Sequence, residues 1–175
     1  MPFGGGYFRG TPSSTLTWRK LADVTISGGA VTSVSITGLD LGAAKTYFLM
    51  CHLKNAGAVQ ATIYLEQNAD TTLTNYYFEQ FKADGGGITA GRANDPTIAV
   101  LAASTEVNFN AFMSQIAGVE PRTLSLSARA APAAIIAQEM CHIHDDTTNV
   151  TSIQIISSVA NAIDDGSTIR LYALD

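Results

Sequence analysis

The 175 residues fit one domain with a core of its own, and their net charge of −5 comes without a basic run, which argues against a nucleic-acid partner. No apolar stretch approaches the roughly 20 residues of a membrane-spanning helix, and Met1 to Gly10 lacks the basic-then-apolar pattern of a secretory signal. Charged residues make up 14% against a usual share of about 25%, so Ser, Thr, Asn and Gln must build a surface that is desolvated at low cost in a permanent subunit contact.

Residues 1–16 read as an N-terminal arm, with Phe3, Tyr7 and Phe8 set among Gly4, Gly5, Gly6 and Gly10. The arm is free to fold back over its own domain or to reach onto a neighbouring subunit, and its lack of periodicity before the first strand favours the neighbour. Phe3, Tyr7 and Phe8 are the interface candidates.

Residues 17–175 read as one all-β domain. Leu21 to Ile26 sets Ala22, Val24 and Ile26 on one face, and Val31 to Thr37 sets Val34 and Ile36 inward. The Ser27-Gly28-Gly29 link between them predicts a hairpin. Tyr47 to Lys54 follows, with Tyr47, Leu49, Cys51 and Leu53 together. Next comes Ala61 to Gln67, with Ile63 and Leu65 inward and Tyr64 and Glu66 outward. Lys82 to Pro96, rich in glycine, reads as a long surface loop and a contact site.

Glu106 to Met113 alternates cleanly, with Val107, Phe109, Ala111 and Met113 opposite Phe112 and its polar neighbours. Arg122 to Arg129 repeats the pattern, with Leu124, Leu126 and Ala128 against Thr123, Ser125 and Ser127. Ala130 to Met140 is Ala-rich, has Pro132 near its start, and reads as a short helix. The closing strands are Val150 to Ser158, with Ile153 and Ile155 on one face, and Thr168 to Leu174, with Ile169, Leu171 and Ala173 on one face. An Asp164-Asp165-Gly166 turn joins them. Short strands at such spacing predict an antiparallel β-sandwich of jelly-roll type.

Two patterns bear on chemistry. Both cysteines and all three histidines fall in Cys51-His52 and in Cys141-His142-Ile143-His144. His-x-His on a strand aims both rings the same way, a real metal-ligand spacing, so His52, His142 and His144 are weak metal candidates. Against that stands the ordinary reading, with Cys51 and Cys141 as buried small apolar groups beside Leu53 and Ile143. Assembly in a cytosol disfavours a Cys51–Cys141 disulfide. The pair also raises the cupin family of jelly-roll enzymes. Thr147, Thr148 and Asn149 stand where a cupin needs its Glu, and no His follows His144, so the ligand set is incomplete. Gly85-Gly86-Gly87 lacks the Gly-Lys-Ser/Thr of a phosphate loop, no Gly-x-Ser-x-Gly elbow exists, and the paired aspartates sit at turns. The expectation is a non-enzyme without cofactor or resident metal.

The ends of the chain's strands carry a resemblance. Val150-Thr151-Ser152-Ile153, followed by Gly166-Ser167-Thr168-Ile169-Arg170-Leu171-Tyr172, resembles the closing strands of β-sandwich structural proteins of tailed bacteriophages and related viruses. Leu65-Glu66-Gln67-Asn68-Ala69-Asp70 with Asn75-Tyr76-Tyr77 resembles an Asn-Gly-Asp and Asn-Tyr signature of the same proteins. Here Ala69 stands where Gly is usual, and Glu66 stands where a basic or aromatic residue is common.

The resemblance implies a virion protein assembled in a host cytoplasm, an auxiliary capsid (decoration) protein whose partners are itself and the major capsid protein. The alternative it implies is a tail or fibre module that binds host-surface glycans through Tyr76, Tyr77, Asp70 and Asn75. Large residues on outward positions (Tyr64, Phe112, Tyr172 and Leu174) predict a homo-oligomer. A trimer follows from the three-fold positions of capsid lattices.

Overall fold

The computed structural model describes residues 17–43, 46–131 and 134–174. The arm with Phe3, Tyr7 and Phe8 lies outside the described residues. The described residues form β1 (Trp18–Thr25), β2 (Ser33–Thr37), β3 (Thr46–Asn55), β4 (Ala61–Gln67), β5 (Tyr76–Asp84) and β6 (Ile88–Ala93). After these come β7 (Thr97–Leu101), β8 (Thr105–Ser114), β9 (Arg122–Ala131), β10 (Ala134–His144), β11 (Ser152–Ser157) and β12 (Thr168–Leu174). A 3-10 turn, Leu73–Asn75, precedes β5.

Eight of these strands pair as nested partners: β4 with β7, β3 with β8, β2 with β11 and β1 with β12, all antiparallel. The chain thus runs out through four strands and returns along them as one long ribbon. Rolling that ribbon up brings β12 against β3 and β11 against β4. The result is one layer ordered β1-β12-β3-β8 facing another ordered β2-β11-β4-β7. That is the double Greek key of a jelly roll.

Two hairpins interrupt the ribbon. The β5–β6 hairpin leaves between β4 and β7, and the β9–β10 hairpin leaves between β8 and β11. Both add to the same edge, so the large sheet continues past β8 as β9-β10-β5-β6. This four-stranded wing reaches beyond the small sheet, and β7 packs against the inner side of β9 and β10.

The core lies between the layers. Leu49 and Leu53 from β3, Ile63 and Leu65 from β4, and Ile169 and Leu171 from β12 are all fully buried. Each alternates with half-buried or exposed neighbours, as strands with one core face must, except that Leu65 is followed by the buried Glu66. The expected faces of β3, β8, β11 and β12 stand.

Four expectations fail. Among the described residues of this segment, Ala130 and Ala131 close β9 and residues 134–140 belong to β10, strand and not helix, because β10 finds a ladder on each side, with β9 and β5. Such pairing overrides the weak helix preference of alanine. Lys82 to Pro96 is mostly the β5–β6 hairpin, closed at its glycines, where Asp84 N–H donates to the Gly87 carbonyl at 3.1 Å.

The Ser27-Gly28-Gly29 link is not a hairpin turn, since β1 lies in the large sheet and β2 in the small one. It is a corner between layers, with φ of 85° at Gly28 and 129° at Gly29. It is tied down by the Gly29 N–H donating to Asp165 at 2.9 Å. Glu66 is buried at the end of β4 instead of facing outward.

Candidate functional site

β9 carries the most consequential departure from its hydropathy pattern. Thr123, Ser125 and Ser127 point inward and are buried, while Leu124 and Leu126 point outward at 40% and 48% exposure. The cause is β7. Small serines let its backbone come close, and Ser125 Oγ donates to the Ile98 carbonyl at 3.0 Å. A leucine there would both overfill the gap and leave that carbonyl without the bond. The alternation is as expected, but its phase is reversed.

The reversal adds Leu124 and Leu126 to an apolar stripe across the outer face of the large sheet. Tyr172, Phe48, Phe112, Leu124 and Cys141 are successive partners in register across β12, β3, β8, β9 and β10. On the wing, Tyr77, Phe81, Ile88, Ile135 and Ile143 extend this surface, with Ile88 80% and Ile135 75% exposed. Seven wing side chains, Leu124 and Leu126 included, are between 36% and 80% exposed. At about 200 Å² for a large side chain in the open, they leave on the order of 800 Å² of apolar surface, about one partner's share of a standard protein interface. A single soluble chain rarely leaves so contiguous a patch uncovered.

Two opposite charges on this wing, Arg122 on β9 and Glu139 on β10, have no ion-pair partner among the described residues. The Glu79–Arg92 pair beside them, with Arg92 Nε donating at 3.0 Å, is internal. Toward β1 the face forms a hollow of about 420 Å³ lined by Trp18, Phe48, Met50, Phe112 and Tyr172. Phe48 stacks on Phe112 with ring centroids 4.6 Å apart, and Trp18 tilts against Phe48 at 5.8 Å.

The inner side of the wing holds a buried polar cluster. His142 and His144 do share a face of β10, and both are essentially buried. His144 Nε2 lies 2.9 Å from Asp70 Oδ2, which also accepts from Asn75 Nδ2 at 2.7 Å. Burial works to raise the Asp70 pKa, but bonds from His144, Asn75 and Thr72 outweigh it and hold the carboxyl well below the usual range.

Tyr76 stacks on His144 at 4.5 Å and meets His142 edge-on at 6.0 Å. Its hydroxyl donates to the Asp70 carbonyl and accepts from the Gln67 N–H, each at 3.0 Å. Burial, and then the neighbouring His144, push the His142 pKa down to about 4, against a bond to the Thr97 backbone. The imidazole is therefore neutral at pH 7. The Gln67 amide, Thr123 Oγ, His142 Nε2 and His144 Nδ1 have no hydrogen-bond partner among the described residues.

His52 does not join these histidines. It sits on the outer face of β3 with Nε2 2.9 Å from Glu106 Oε2. Among the described residues no group of three or more His, Cys, Asp or Glu side chains is arranged to hold a metal ion. Cys51 faces the core as expected, but Cys141 is exposed on the outer face, the correction that follows from the phase of β10. Of the four residues weighed for glycan contact, Tyr76, Asp70 and Asn75 are committed to one another, and Tyr77 alone is exposed, on the opposite side of the sheet.

The outer residues Ile88 and Ile135 were hidden in sequence by segments read as loop and helix, Phe81 fell just before that loop, and Ile143 was read as core-facing beside Cys141 but is 36% exposed. Their alternation with Lys82, Thr89, Ile136 and His142 was the available signal. Comparison with family models, curated proteins and solved structures gives no match to this chain.

Proposed function

We propose that this chain is a non-enzymatic structural protein of a virus particle, an auxiliary capsid protein that binds the shell and adds contact area between capsomers. The observation that carries this reading is the apolar outer face of the wing, a surface built from side chains that would be core residues in a monomer. The wing is also an addition to an already closed jelly roll: β5, β6, β9 and β10 bring most of the exposed apolar residues, while the eight-stranded roll supplies most of the core.

The titratable groups of the wing interior support the same reading. His142, His144 and Tyr76 are buried, and His144 and Tyr76 are bonded to Asp70 and to the Gln67 backbone, so they act as internal fastening. The likeness of the closing strands to phage sandwich proteins supplies the virion context, and shell lattices supply three-fold positions for a trimer.

The test is co-sedimentation of purified protein with shells built from the major capsid protein of the virus whose genome carries this chain. Binding at a fixed ratio, lost in a Leu126→Lys, Ile88→Lys double variant that still folds, is the expected result. Failure of the wild-type protein to bind such shells overturns the reading. Binding to a glycan array in its place would assign the chain to a tail or fibre.

A further inference from the structure

Arg122 and Glu139 are both exposed on the outer face of the wing, on the side of the sheet that Leu124 and Leu126 occupy. Glu139 lies opposite Leu126 and Arg122 lies opposite Ile143, so the two charges stand four residues apart along the strands. That is about 14 Å, too far for an ion pair within one molecule. The Leu124–Cys141 pair lies midway between them. Glu79 and Arg92, also on this face, neutralise each other. A surface with a positive end, a negative end and apolar side chains between is complementary to itself turned end for end.

We propose that a second copy of this chain covers the wing of the free protein, outer face against outer face, in a two-fold dimer. The axis lies between the two sheets and runs across the strands near Leu124 and Cys141, so the partner's strands run antiparallel to these. It sets Arg122 against the partner's Glu139 and Glu139 against the partner's Arg122, which gives each charge the ion-pair partner it lacks among the described residues. The same rotation lays Leu126 and Phe81 toward the partner's Ile143 and Tyr77, so apolar contacts fill the space between the two ion pairs. The wing offers on the order of 800 Å² of apolar surface on each copy, or about 1,600 Å² for the pair, the usual size of a specific interface. The dimer rests on the wing being a contact face, as the shell reading does, but not on the shell itself. It belongs to the free protein, and a shell that takes the wing displaces the second copy.

Across about 1–100 µM, sedimentation velocity of the full chain should show monomer at the low end and dimer at the high end. Arg122→Glu and Glu139→Arg, each alone, set like charges against each other across the axis and should weaken the dimer by about tenfold or more. The double variant exchanges the charges and should return to within about threefold of the wild-type strength. A residue that acted only within its own molecule would not be rescued in this way. Both positions are exposed, and circular dichroism checks that each variant keeps the folded sandwich. A monomer at every concentration overturns the proposal, and so does a trimer. Single variants that pair as strongly as the wild type, or a double variant that does not recover, also overturn it and assign the contact to another surface. Shell binding is measured on dilute, monomeric protein, so failure to pair and failure to bind the shell are read separately.

Discussion

Ser125 and Leu126 are neighbours on β9 that point to opposite sides of the large sheet, and each lies on the side its hydropathy opposes. Ser125 is fully buried with its hydroxyl on the Ile98 carbonyl, and Leu126 stands half exposed above Glu139 and Asn110. The arrangement is stable because β7 crosses close to the inner face there, where a small donor fits and a branched side chain does not.

The relationship predicts a reversed pair of mutational effects. Leu126→Ser should change the stability of the isolated protein by no more than about 0.5 kcal/mol, as for other exposed positions. Ser125→Leu should cost about 1–3 kcal/mol through overpacking and the loss of its bond. Urea denaturation of both variants decides it. A larger loss in Leu126→Ser than in Ser125→Leu would mean that β9 sits in the opposite phase.

Stability should fall with pH in a window set by His142. Its folded pKa, about 4, lies below the ordinary 6.5, so the unfolded chain takes up a proton that the folded chain refuses. The stabilisation is therefore complete above pH 6.5 and is lost as the pH falls to about 4. By the usual conversion the change amounts to about 3 kcal/mol. Below that, Asp70, held low by its bonds to His144, Asn75 and Thr72, extends the loss downward from its ordinary 3.8. His142→Gln should flatten the denaturation midpoint between pH 6.5 and 4, whatever it does to the absolute level. An unchanged slope would remove His142 as the cause.

The jelly roll was legible because seven of its eight strands had a two-residue period between compact turns, and Ala61–Gln67 and Thr168–Leu174 fall at the boundaries the pattern gives, whereas the short apolar β7 (Thr97–Leu101) shows no alternation. Of the wing, β9 was legible as an alternating strand and the rest was not. Its strand β10 is rich in alanine and takes its conformation from neighbours on both sides, and β6 (Ile88–Ala93) hides among Gly87, Gly91 and Asn94. The candidate surface was half visible: Phe112 and Tyr172 could be read as outward from alternation alone. Leu124 and Leu126 could not, because a period fixes which residues share a face but leaves open which face meets the core. Only the long-range approach of β7 decides that.

Backbone strain at the end of β4 offers a stabilising substitution. Asn68 and Ala69 have φ of 53° and 57°, the left-handed region, where a side chain without a polar group to bond has no compensation. Ala69→Gly should raise stability by up to about 1 kcal/mol, the relief of strain outweighing the greater freedom of glycine in the unfolded chain. Gly166→Ala makes the converse case. Its φ is 79°, and the added Cβ would come within 3.2 Å of Lys54 Nζ. A loss of about 1 kcal/mol is expected there. Thermal melts of the two variants should move in opposite directions, and a shared direction would contradict the assigned turn geometry.

The two cysteines provide a probe of assembly that requires no mutation. Burial pushes the Cys51 thiol well above its ordinary pKa, so it is both inaccessible and protonated, whereas Cys141 is exposed between its strand partners Leu124 and Glu79. Dilute native protein should therefore react with one equivalent of a thiol reagent, at Cys141, and release the second only on unfolding. If the wing is the contact face, Cys141 must become slow as well when the protein assembles with itself or binds a shell, because its sulfur lies inside the apolar surface that such contact covers. Labelling rates compared below and above the concentration at which light scattering registers assembly give the answer. A Cys141 that stays equally reactive in the assembled protein would show that the contact lies elsewhere on the molecule, and the outer face of β9, β10, β5 and β6 would lose its role.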